Sequence, residues 1–137
     1  MDILSATASI IAILQLSTKI LTHLNDVRIA SKDRARCAVE ISNLYSLLVS
    51  LRFRLEEGGA SQPWYIAVRA LTVKNGPLDQ FKQALKLLQA KMMTDGGWLK
   101  QASETLMWKF NEDEVASILA GKTMIAAITI NSLLRSA

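Results

Sequence analysis

Apolar residues recur every three or four positions along most of the chain, the period of helices. Over 3–27, Ile3, Ala6, Ile10, Ile13, Ser17, Ile20, Leu24 and Val27 fall on one stripe, and Leu4, Ile11, Leu14 and Leu21 widen it sideways. The opposite strip is narrow: Ser5, Ser9, Ala12, Gln15, Lys19, Thr22 and Asp26. A second helix is predicted over 33–57, with Cys37, Ile41, Leu44, Leu48, Leu51 and Leu55 spaced as a packing seam. Gly58-Gly59 follows and supplies the left-handed residue that commonly ends a helix.

Between 63 and 73 the sequence PWYIAVRALTV reads as a short helix or turn, closed by Asn75-Gly76-Pro77. Pro77 fits the first turn of another long helix. Its seam is Leu78, Phe81, Leu85, Leu88 and Met92, with Lys82, Lys86 and Lys91 pointing outward. Leu99, Ala102, Leu106 and Phe110 predict a further helix, and 112–135 a last one that is apolar on several sides. No alternating β-branched run flanked by turns occurs. The expected fold is all-α, an antiparallel helical bundle of four to five helices with short connections.

Composition adds limits. The chain has 137 residues, half hydrophobic and one fifth charged, which suits one globular domain with a core. Cys37 is the sole cysteine, so no intrachain disulfide forms, and a reducing compartment is expected. Its place on the seam reads as a small core residue. His23 is the only histidine, and without a Cys/His cluster no metal site is expected. No paired carboxylates stand in an apolar setting, and no complete glycine-rich loop or Ser/His/Asp motif occurs. An enzyme with a cofactor or small-molecule substrate is therefore not expected. Asp2 directly after Met1, with no basic segment, argues against a secretory signal.

The net charge of +4 is unevenly placed, with 12 Lys/Arg against 6 Asp/Glu over 28–100. Arg28, Lys32, Arg34 and Arg36 cluster between the first two predicted helices, beside Asp26 and Asp33. A solvated helix junction is the ordinary reading; contact with anionic lipid is the functional one. Nucleic acid is not expected, because Trp64, Tyr65, Trp98 and Trp108 are not interleaved with the cations. Those aromatics stand at loop–helix junctions, where the ring is buried and its polar edge wet.

The first helix bears on lipid as well. A helix apolar around most of its circumference is central to a bundle or bound for a membrane. Its uncharged run, 3–18, is 16 residues long, below the roughly 20 that cross a bilayer. The expectation is a buried bundle helix that reaches lipid only when the bundle opens. Ile3, Leu4, Ile10, Ile11, Ile13 and Leu14 would then contact the membrane, beside the cations Arg28, Lys32, Arg34 and Arg36.

Near the end, Gly121-Lys122-Thr123 imitates the second half of a phosphate-binding loop. The first glycine of G-x-x-x-x-G-K-[ST] should stand at 116, which is Ala116. The preceding NEDEVASIL is not a buried strand, and Asn111 with Glu114 is a capping-box pattern that starts a helix. After Thr123 only 14 residues remain, too few for a sheet and a magnesium-binding acid. The motif is read as a non-functional remnant.

The stretches MDILSATASIIAILQLSTK, ASKDRARCAVEISNLYSLLVSLRFRLEE, PWYIAVRAL, NGPLDQFKQAL and WKFNEDEVASIL resemble the fungal N-terminal domain of STAND proteins. That domain is named after the azaphilone pigments biosynthesis cluster protein L N-terminus and is similar to the HeLo-like bundles preceding NACHT ATPase domains. The resemblance runs from Met1 to about Leu119. From Ala120 to Ala137 the sequence AGKTMIAAITINSLLRSA is instead similar to the P-loop and following helix of a NACHT domain. The division expected is thus a bundle over 1–119 and a truncated P-loop-like tail over 120–137.

The resemblance implies a cytoplasmic, non-enzymatic effector or signalling module of fungal non-self recognition (heterokaryon incompatibility) and programmed cell death. It would act by helix association with protein partners or itself, and by contact with anionic membranes on activation. The alternative is a truncated or mis-joined receptor fragment, inactive or interfering by co-assembly. A minimal nucleotide-binding protein is a third reading, disfavoured by Ala116 and the missing sheet.

Overall fold

The computed structural model describes residues 3–25, 32–96 and 112–136. Every element among them is a helix: α1 (Ile3–Asn25), α2 (Lys32–Glu57), α3 (Gln62–Thr72), α4 (Pro77–Gly96) and α5 (Glu112–Ser136). The helix predicted through Leu99, Ala102, Leu106 and Phe110 lies outside the described residues, as do Trp98 and Trp108.

The seams bury as their spacing predicts. On α1, Ala6, Ile10, Ile13, Ser17, Ile20 and Leu24 are all buried, and Leu14 joins them. On α2 every residue from Cys37 to Leu55 assigned to the seam is buried. On α4, Leu78, Phe81, Leu85 and Leu88 are buried; the side chain of Met92 lies outside the description. Each buried Leu, Ile or Phe stabilises the fold by roughly 1.5–3 kcal/mol relative to an exposed one. These residues form one continuous core.

Local chemistry sets the connections. Gly58 and Gly59 at the end of α2 have φ of +73° and +80°, open to glycine without strain. Ser61 caps α3, its Oγ accepting from the Trp64 N–H at 3.4 Å. Between α3 and α4, Asn75 takes φ +64°, its N–H donates to Asp79 Oδ2 at 2.8 Å, and Gln80 Nε2 donates to its carbonyl at 2.8 Å. A side chain at Gly76 would press to 3.0 Å from the carbonyls of Ala70 and Val73, so this turn has no room for one.

α2 packs against α1 on one side and α5 on the other, and α5 in turn packs against α4. A slighter contact between α1 and α4 closes the ring, and α3 fills one end against α1, α4 and α5. Arg36 Nη2 in the second turn of α2 donates to Ser117 Oγ in the second turn of α5 at 3.4 Å, so these two helices begin at the same end. At the opposite end Trp64 of α3 is buried, and its Nε1 donates to the Leu133 carbonyl of α5 at 2.8 Å. The wet polar edge expected of this tryptophan is therefore absent. Its N–H serves the end of a helix four positions before the chain's last residue.

Candidate functional site

The residues singled out for membrane contact do not form one surface. Ile10, Ile13 and Leu14 belong to the core, Ile11 is half-buried, and Leu4 is 77% exposed. The side chains of Ile3, Lys32 and Arg34, and all of Arg28, lie outside the description. Arg36 is exposed and turned to Ser117. In the closed bundle the apolar side of α1 thus faces α2, and among its described side chains Leu4 alone offers a large apolar group to solvent.

The uncharged run 3–18 understates the apolar length of α1. A bilayer-spanning helix tolerates a single charge near one end by directing a long side chain to the interface. With Lys19 admitted, Leu4–Leu24 is 21 residues, long and apolar enough to cross a membrane. At 1.5 Å per residue this matches a hydrocarbon core of about 30 Å. Sequence reasoning missed a second such helix, Glu114–Ser136, also long and apolar enough. The signal was present: between Glu114 and Arg135 the only charge is Lys122. Only 33% and 28% of the two windows are buried, so each helix commits one face to the core.

The two helices differ in how they are held. α1 has one extensive neighbour, α2, whereas α5 lies between α2 and α4 and is gripped at its end by Trp64. Arg54 stands over the Trp64 ring at 5.8 Å, and Tyr65 meets it edge-on at 5.3 Å, which fixes the indole in place. Leaving the bundle would cost α5 two broad interfaces and α1 mainly one.

Gly121, Lys122 and Thr123 sit in the interior of α5. Their N–H groups belong to the helical ladder and cannot converge on an anion as a phosphate-binding loop requires. Lys122 Nζ donates to Gln80 Oε1 at 2.9 Å, and Thr123 is buried, its hydroxyl without a hydrogen-bond partner among the described residues. The junction between Leu119 and Ala120 falls within this helix. Val115, Ala116 and Leu119 before it and Thr123, Ala126, Ile130 and Leu133 after it form one unbroken buried stripe. Packing therefore carries 120–136 as part of the same core as the helices before it.

A groove of about 520 Å³ runs between α4 and α5, floored by Ala84, Leu87 and Ile118 and edged by Lys86 and Lys122. Among the described residues no three His, Cys, Asp or Glu side chains stand together as metal ligands would. Comparisons with known protein families, with curated proteins and with solved structures return no match.

Proposed function

We propose that this chain is a non-enzymatic helical effector or signalling module, in which α1 is stored against the bundle and released to anionic lipid. The resemblance to fungal STAND N-terminal domains implies the same class of action, in non-self recognition or cell death at the cytoplasmic side of a membrane. One observation carries the reading: α1 is long and apolar enough to cross a bilayer, yet is held mainly by a single neighbour. Stored, it buries Ile10, Ile13, Ile20 and Leu24 against the core. Released, the same side chains enter hydrocarbon, and the cations at the start of α2 stay at the headgroups, where each Lys or Arg contributes about 1 kcal/mol.

Leu4 supplies the test, because it is exposed in the bundle and a charge there leaves the core intact. The full chain should release dye from anionic vesicles and spare neutral ones. Leu4→Asp should keep the helical signal and unfolding midpoint of the parent while losing most of the leakage. Equal leakage by parent and variant, or none from either, would remove α1 from the role. The domain would then be an adaptor that works through protein contacts alone.

A further inference from the structure

Ser17 is fully buried within the face that α1 turns to the core, and its Oγ has no hydrogen-bond partner among the described residues. Ile13 one turn before it and Ile20 one turn after it are buried too, so apolar side chains bracket the hydroxyl along the helix. Its neighbours on α1 behave differently. Thr18 Oγ1 donates to the Leu14 carbonyl at 3.0 Å and Thr22 Oγ1 to the Thr18 carbonyl at 2.9 Å, each bonding four residues back. Both of those threonines are exposed. The hydroxyl left without a bond is the one that docking seals from water.

We infer that Ser17 is a built-in weak point that sets how readily α1 undocks from the bundle. The inference rests on the reading of α1 as a helix that is stored and released. A hydroxyl taken from water without a new partner disfavours the state that buries it. Only the docked state bears that cost. Once α1 has left the core, Ser17 meets water, or in an apolar medium bonds to the Ile13 carbonyl as Thr18 and Thr22 bond to theirs. The helix is also suited to such a device, since α1 has one extensive neighbour and the packing of α5 between α2 and α4 does not include it. Thr123 is likewise buried without a partner among the described residues, but on α5, where the same cost acts against two broad interfaces.

Native-state hydrogen exchange of the full chain, read by mass spectrometry on peptides from α1 and α5, tests this in buffer without lipid. Ser17→Ala keeps a small side chain and removes the hydroxyl. It should slow exchange of the α1 amides about tenfold, a factor equivalent to about 1.4 kcal/mol, and raise the unfolding midpoint. Alanine also favours a helix in itself, so Thr18→Ala is the control: it gains comparable propensity at an exposed position and should slow exchange far less. Dye release from anionic vesicles should be slower with Ser17→Ala than with the parent. Exchange of α1 that is unchanged or faster in Ser17→Ala overturns the inference. Equal slowing by Thr18→Ala overturns it as well, since helix propensity would then account for the whole effect. Slower α1 exchange with leakage equal to the parent's sustains Ser17 as the weak point and overturns the release of α1 to lipid instead.

Discussion

The indole N–H of Trp64 donates to the carbonyl of Leu133 at 2.8 Å, joining the first turn of α3 to the last turn of α5 across 69 positions of sequence. The carbonyls in the last turn of a helix lack partners four residues on, and a buried one must find another donor. Here a tryptophan provides it, with Ser136 Oγ as a second donor at 3.2 Å. The bond makes α3, otherwise a short element at one end, a clamp on the end of α5.

Trp64→Phe should therefore lower stability by about 1–3 kcal/mol, the cost of leaving a buried acceptor short of a donor. Trp64→Ala removes the ring as well and should cost about 3–5 kcal/mol. Urea unfolding followed by far-UV circular dichroism separates the two. A phenylalanine variant as stable as the parent would show that the ring alone matters.

Thr123 and Ser17 are the two buried hydroxyls without a hydrogen-bond partner among the described residues. Each sits within an otherwise apolar stripe, on α5 and α1 respectively. Thr123→Val keeps the shape and the β-branch while removing the hydroxyl, so it should raise stability by about 1 kcal/mol. Thermal unfolding measures this. A loss of similar size would mean that the hydroxyl has a partner after all.

The backbone at Gly121–Thr123 is helical and Lys122 is engaged with Gln80, which together predict that ATP with magnesium gives no saturable heat in calorimetry. Lys122→Ala should change only stability, within about 1 kcal/mol for a partly buried hydrogen bond. Micromolar binding that vanishes in this variant would contradict the packing argument.

Helical period alone revealed most of this fold. The stripe from Ala6 to Leu24 and the seam from Cys37 to Leu55 are legible because one-sided burial in a bundle imposes a 3–4 spacing. What spacing cannot report is the partner across the core. Trp64 reads as an amphipathic seal until Leu133 is brought beside it, which happens only when α5 lies against α3. Leu4 belongs by spacing to the flank of the apolar side, yet stands exposed, although Ala6 in the same turn is buried. On α5 the Gly-Lys-Thr triplet drew the sequence apart at 119–120. The spacing of Leu119, Thr123, Ala126 and Ile130 runs unbroken across that point, and all four are buried on one face.

The release of α1 from the bundle is the central claim, and Cys37, buried in the core that α1 shares, reports on opening of that core without any substitution. It is the only cysteine, 2% exposed, on the seam of α2 whose helical neighbours are α1 and α5. A buried thiol reacts with a thiol reagent only when its cover opens. The rate of Cys37 labelling in the full chain should be slow in buffer and with neutral vesicles, and should rise sharply with anionic vesicles, in step with dye release. Leakage from anionic vesicles with Cys37 still protected would contradict the account, because the membrane would then be acted on by the closed bundle.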